Sequence, residues 1–413
     1  MKKIFSTFAL VLFAQITFAV DMQAHMGTKE AQDEYTTYLS KQAAYYTGDF
    51  APEALRALTG IELFGALNTL MGNTCKLAKD DGSANGYSYN SLRNQYVNVD
   101  KDLNTSGNII GYYDGQSMDG TWDSGKTYNR EHTWPQSCFK GSNSSGTGIP
   151  MGYDMQSVRP TSTKVNSSRS STPYGESGKY YDPDEVGINN SLYKSINLGS
   201  YRGDAARVII YDYIVYGKWG SYSNKMYRSE VKADLQAQVG NASCSVFESL
   251  YVLLKWHMND PISLTEMVRN DGGQNYQGNR NPFIDYPELA IQMLKGCSGV
   301  TTYDVTTTGV AMWPAYSLTL ADGFIAYLGS KDQRPAEADV TVTGATGTYD
   351  ESLGRLKIEN VTGDVTISVA GTEALEWTLD GNKAIKTIHN GQIIIIKNGK
   401  AYTLLGVPVD DIR

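Results

Sequence analysis

Histidine is nearly absent, with four among 413 residues against 29 tyrosines. Each imidazole is therefore a separate question, because few other side chains titrate near neutrality unperturbed. Cysteine is as scarce, at Cys75, Cys138, Cys244 and Cys297. No two of them have the close spacing of a thiolate zinc site. All four stand as disulfide candidates, and the sequence does not choose among the possible pairings. Past the first twenty residues no apolar run is long enough to span a bilayer, so no membrane-spanning segment is expected in the mature chain. Basic charge is also short: 36 Lys and Arg face 44 Asp and Glu, a net of −8. That argues against a protein that tracks along a duplex on a broad basic surface. Nucleic acid would have to be met in a local groove, with a metal. Hydrophobic content of 41% and charged content of 19% exclude a disordered chain.

The opening residues read as a secretory leader. Lys2 and Lys3 give the positive start, Ile4 to Phe18 the apolar run, and Thr17-Phe18-Ala19 a small-x-small cleavage site. The mature protein is thus expected to be exported (secreted, periplasmic or at the cell surface), where disulfides persist. The length calls for more than one domain. The division expected is a signal peptide over 1–19, a mainly helical domain over 20–298, a small β-sandwich over 299–372 and a C-terminal β-hairpin over 373–413. The fold class is α+β.

Helical spacing appears over 28–75, with Tyr35, Tyr38 and Leu39 and then Leu55, Leu63, Leu67 and Leu70. Residues 76–127 turn rich in Gly, Asn, Asp and Ser, the composition of loops and short strands, with Ile109 to Tyr113 as one strand. An amphipathic helix is expected over 203–218, with Ala206, Ile209, Ile210, Tyr213 and Gly217 on one face. Another is expected over 244–258, where Leu250, Leu253, Leu254 and His257 share a face and His257 reads as a hydrogen-bonded core residue. Beyond Cys297, period-two runs such as Val365-Thr366-Ile367-Ser368-Val369 indicate antiparallel strands. Asn398-Gly399 between two β-rich runs is a hairpin turn signal.

One stretch carries chemistry: Tyr128-Asn129-Arg130-Glu131-His132-Thr133-Trp134-Pro135-Gln136-Ser137, followed some thirty residues on by Asp154, Pro160, Asn166 and Arg169. Phosphodiester hydrolysis needs an activated water and stabilisation of developing negative charge. Glu131 is a hard oxygen donor suited to Mg²⁺, and Asn166 adds a neutral carbonyl oxygen. His132 can accept a proton from water. Arg169, three residues after Asn166, is placed to meet phosphate if the stretch is helical. Neighbouring strand residues point to opposite faces, so a twist or bulge is expected at Glu131-His132. Against this stand ordinary readings: a Glu-His pair is usually structural, and Thr161–Ser171 is a poor helix former.

These residues, in this order, resemble the signature of the bacterial endonuclease I family of ββα-metal, or His-metal-finger, nucleases. The resemblance continues through Gly203-Asp204-Ala205-Ala206-Arg207, through Leu254 to Pro261 and through Asn275 to Asp285, covering roughly residues 40–295. It implies a ββα-metal core in which Glu131 and Asn166 hold the metal and His132 is the general base. Arg169 would touch phosphate or support the site, with Arg130 and Asp154 as orienting residues behind it. Trp134 reads as packing, and Arg280 and Asn281 as structural residues. Where many members carry a His-containing stretch after the family's Asp, this chain has Met155-Gln156-Ser157. The implied activity is metal-dependent, nonspecific cleavage of DNA or RNA, with Mg²⁺ as cofactor and Ca²⁺ or Mn²⁺ as alternatives. The competing functions are an inactive cell-surface binding protein and a small-nucleotide phosphodiesterase. The C-terminal region resembles Ig-like modules and sorting tails of Bacteroidota surface proteins, which implies a secretion or cell-surface attachment machinery as partner.

Overall fold

The computed structural model describes residues 29–77, 85–139, 150–186, 200–216, 244–329 and 334–370, and the backbone of strands between 376 and 409. The expected leader, Gly217, Asn398-Gly399 and Gly406-Val407 lie outside the described residues. Helices and several small sheets make an α+β protein. Among the described residues no helix is long and apolar enough to cross a membrane.

The helical part opens with α1 (Lys29–Tyr45), α2 (Pro52–Arg56) and α3 (Gly60–Thr74). Leu63, Phe64, Leu67, Leu70 and Met71 form the buried stripe of α3, as its spacing predicts. Two single-turn helices follow, α4 (Tyr89–Leu92) and α5 (Tyr96–Val99), and then the short pair β1 (Asn108–Ile110) and β2 (Ser117–Asp119). The strand expected over Ile109–Tyr113 ends at Ile110. Gly111 turns the chain there, and a Cβ at that position would come within 2.5 Å of Asp114 Oδ1.

β3 (Tyr128–His132) pairs antiparallel with β4 (Val158–Ser162), and α6 (Thr163–Arg169) follows directly. Although α6 is built from weak helix formers, Ser162 caps it by accepting the Val165 amide, and its residues Val165 and Arg169 are buried. Packing and a cap thus override propensity.

The remaining helices are α7 (Arg202–Tyr216), α8 (Leu250–Asn259), α9 (Leu264–Gln277), α10 (Pro282–Asp285) and α11 (Glu288–Leu294). α7 corrects the amphipathic expectation: every residue from Gly203 to Tyr216 is buried. It is a central helix, packed against α3, α8 and α10, and so shows no solvent face. α8 begins at Leu250, later than expected, because Ser249 caps it by accepting the Val252 amide.

One apolar cluster runs from Leu67 through Ile209, Leu254 and Leu289 into Phe324, Leu356 and Ile367 of the β-rich part. That part holds two four-stranded sheets. One is ordered β10 (Thr346–Asp350), β11 (Arg355–Glu359), β8 (Phe324–Leu328), β6 (Met312–Trp313). The other is ordered β7 (Leu318–Thr319), β5 (Tyr303–Thr308), β12 (Val365–Val369), β9 (Val340–Thr343). The expectation of purely antiparallel strands fails at one pair: β12 lies parallel to β5, with Val365 opposite Val305. The expected terminal hairpin is part of a five-stranded antiparallel meander, β13 (Glu376–Leu379), β14 (Asn382–His389), β15 (Gln392–Lys397), β16 (Lys400–Thr403) and β17 (Pro408–Val409). The expected hairpin is its β15–β16 pair, with Lys397 opposite Lys400.

Candidate active site

The β3–β4 ribbon is regular, from Tyr128 opposite Ser162 to His132 opposite Val158. No residue is inserted, so the bulge expected at Glu131-His132 is absent. Both residues are nevertheless buried, 3% and 8% exposed, because packing covers both sides of the ribbon end. Glu131 meets Arg169 of α6, while His132 meets the turn before β4.

One carboxylate oxygen of Glu131, Oε1, accepts from Tyr113 Oη at 2.9 Å and from Arg169 Nη1 at 3.0 Å. The other, Oε2, takes no hydrogen bond among the described residues. Burial pushes this carboxyl above the usual range; the Arg169 cation and the two hydrogen bonds pull it back. Asn166 sits half-buried on α6, and its side-chain amide likewise has no hydrogen bond among the described residues.

His132 Nε2 lies 3.0 Å from the Gly152 carbonyl oxygen. A carbonyl only accepts, so Nε2 carries the proton and Nδ1 keeps its lone pair. The Gln136 amide nitrogen approaches the same Nε2 at 3.2 Å; an amide N–H only donates, so with Nε2 protonated that contact is not a hydrogen bond. Tyr89 stacks on the imidazole, with centroids 5.4 Å apart and an angle of 21°, and Phe139 meets it edge-on. Burial drives the imidazole down to about 4; Arg130 and Arg169 push the same way against the Gly152 bond. The ring is therefore neutral at physiological pH. Neither Glu131 Oε2, His132 Nδ1 nor the Asn166 amide is among the sealed orphan atoms of the interior, unlike Trp134 Nε1.

Arg169 is fully buried. Besides Glu131 it donates to the carbonyls of His132 and Thr133, each at 2.9 Å, and its guanidinium lies over the Tyr174 ring at 4.6 Å. No face is left for phosphate, so of its two expected roles the geometry serves support. Arg130 lies over Tyr89 at 3.6 Å and over Trp122 at 4.8 Å, bonded to the Tyr89 carbonyl. It therefore buttresses the ring that stacks on His132. Asp154 is buried away from these groups. It accepts from Tyr211 and Gln277 at 2.8 and 2.6 Å and from Tyr216, and so fixes the chain two residues past Gly152.

Met155, Gln156 and Ser157 point into the core: Gln156 bonds Asn270 and Ser157 bonds Asp212. Trp134 is fully buried. Arg280 pairs with Asp285 and Asp271, and Asn281 caps α10. Cys138 is joined to Cys244, while Cys75 and Cys297 take no part in that bridge. The bridge anchors the segment just past His132. Tyr113 and Tyr89 had no signal in the sequence, standing in a loop-rich stretch without periodicity. Tyr113 is the stranger of the two, with φ at +76°. For a bulky side chain that conformation costs about 1–3 kcal/mol.

Among the described residues no three His, Cys, Asp or Glu side chains cluster as a metal cage. Of the residues expected to hold a cation, Glu131 offers Oε2 and Asn166 its side-chain carbonyl, oxygen donors of the kind that suit a hard cation keeping most of its water.

The acid and the imidazole stand on β3 and the amide on α6, the helix that follows its partner strand. The chain is a nuclease by family: it belongs to the Endonuclease I family, whose model matches residues 59–288. It is similar to the extracellular ribonuclease of Bacillus amyloliquefaciens, 29% identical over 246 residues, 57% of this chain and 74% of that protein. The extracellular ribonuclease of Bacillus subtilis strain 168 is also 29% identical, over 262 residues, 61% of this chain and 80% of that protein. No solved structure matches significantly.

Proposed function

We propose that this protein is an exported, divalent-metal-dependent endonuclease hydrolysing phosphodiester bonds in RNA and DNA without sequence preference. One observation carries the reading. Glu131, His132 and Asn166 are each held by neighbouring structure, while one chemically active atom of each is left without a hydrogen-bond partner among the described residues. The β3–β4–α6 unit is then a ββα-metal core. Both curated relatives are named extracellular ribonucleases, which supports export and RNA as a substrate. The Cys138–Cys244 bridge supports an oxidising compartment.

Glu131 Oε2 and the Asn166 oxygen would hold the cation, with Mg²⁺ the proposed ion. A cation bound there supplies positive charge next to the phosphate oxygens. His132 Nδ1 takes the proton of the attacking water, and the Gly152 carbonyl keeps Nε2–H fixed so that Nδ1 stays a base. Tyr89 and Phe139 hold the plane of the ring. Arg169 balances the charge of Glu131 and ties β3 to α6. We assign the five-stranded C-terminal sheet, in the region read as a sorting tail, to retention at the cell surface. A chain truncated after residue 372 should cleave as before but leave the surface, and unchanged retention would remove that assignment.

The test of the activity uses the purified mature chain. Long RNA and plasmid DNA should both be degraded in Mg²⁺ and both be spared in EDTA. Cleavage that survives EDTA contradicts the metal, and inertness toward both substrates contradicts the nuclease.

A further inference from the structure

We propose that Tyr113, held in a left-handed backbone conformation, is a positioning residue that sets the metal affinity of Glu131. The inference rests on the reading of Glu131 as a metal ligand and adds a residue to it.

Two neighbouring residues of an extended chain point to opposite sides. Tyr112 and Tyr113 do not: their rings stack at 4.0 Å with an angle of 29°. The positive φ of Tyr113 swings its ring beside that of Tyr112. The conformation is locked from β4: the Tyr112 amide donates to the Pro160 carbonyl at 2.8 Å, and Thr161 Oγ1 donates to the Tyr112 carbonyl at 2.7 Å. On the other side the turn closes through Gly115 N to the Gly111 carbonyl, and Ser162 Oγ holds Asp114 at 3.1 Å. A strained aromatic fixed so firmly has a purpose in where its hydroxyl arrives.

It arrives at Glu131 Oε1, 2.9 Å away. An ionised carboxylate only accepts, so the Tyr113 proton goes to Glu131. The Tyr174 hydroxyl, in contact with that of Tyr113, must then donate to Tyr113. A directed relay therefore runs from Tyr174 to Tyr113 to Glu131. Together with Arg169 it loads both donors onto the same oxygen and fixes the carboxylate plane. Oε2 is left over as the ligand atom. Neighbours of a metal ligand that orient it in this way commonly control its affinity.

The experiment is calorimetric titration of the full mature chain with Mn²⁺, free of substrate. Wild type should bind, Glu131→Gln should lose binding, and Tyr113→Phe should bind about 10–100-fold more weakly with an unchanged melting temperature. Tyr174→Phe, one step back along the relay, should lose less affinity. Tyr113→Phe with wild-type affinity, beside a Glu131→Gln variant that has lost binding, overturns the proposal and leaves the metal reading standing. Wild type that does not bind, or Glu131→Gln that binds as well as wild type, overturns both. Should Tyr113→Phe fail to fold, wild-type affinity in Tyr174→Phe overturns the relay.

Discussion

His257 on α8 and His132 on β3 each give Nε2 to a backbone carbonyl, 2.8 Å from Pro287 and 3.0 Å from Gly152. Burial drives both imidazoles down, to about 3 and about 4. Tautomer, charge state and burial are thus shared. The second nitrogen separates them. Nδ1 of His257 is sealed inside the helical core without a hydrogen bond, whereas Nδ1 of His132 is not among such atoms of the described residues. Their neighbours differ as well. His257 has the edge of Phe283 and the field of Arg207; His132 has a stacked Tyr89 and the proposed ligand Glu131 next to it in the chain. A perturbed pKa marks both sites equally and so does not by itself mark either of them for chemistry.

The helical region can be broken without touching the site. Arg207 is fully buried and pairs with Glu266, Asp204 and Asp260. Arg207→Met strands Glu266 and Asp260 without their cation and should cost about 3–5 kcal/mol in urea unfolding. Cleavage per folded molecule should be unchanged; a matching loss of specific activity would show that the two regions are not separable. The Cys138–Cys244 bridge belongs to the other side of the comparison, because Phe139 packs against His132. Cys138→Ala with Cys244→Ala should cost about 2–4 kcal/mol and also lower cleavage. Full activity in that double variant would cut the bridge out of the site.

The pH dependence of stability sharpens the contrast further. The folded value of His257, about 3, lies below the roughly 6.5 of an exposed imidazole. Between the two, the unfolded chain binds a proton that the folded chain refuses. Its contribution is complete above about 6.5 and falls as the pH drops toward 3, by up to about 1.4 kcal/mol per pH unit. His257→Gln, which can still donate to the Pro287 carbonyl, should lack that slope. Its stability gap to wild type should narrow between pH 7 and pH 5, and an equal gap at both would refute the assignment.

Glu131, His132 and Asn166 were singled out in the sequence by their resemblance to a family signature, and the structure sets them on β3 and α6. The support around them was not legible there. The acceptor that fixes the tautomer of His132 is the Gly152 carbonyl, and a backbone atom leaves no trace in a sequence. Tyr113 and Tyr89 come from a stretch whose Gly and Asn content hides any period. Arg169 was visible as a cation near the site, but burial, which the sequence does not disclose, decides that it supports Glu131. In the fold, His257 was placed correctly by the i, i+3, i+4, i+7 pattern of α8. The same reasoning made α7 amphipathic, since periodicity does not tell a surface helix from one wrapped on every side. The parallel β5–β12 pair escaped because strand direction depends on connections between distant segments, which alternation does not encode.

The most direct measurement is the rate of RNA and plasmid cleavage by wild type and by His132→Ala in saturating Mg²⁺, with melting temperatures taken on the same samples. A general base at Nδ1 predicts a fall of about 10²–10⁴-fold at nearly unchanged stability. A folded His132→Ala protein that cuts at the wild-type rate would contradict the account.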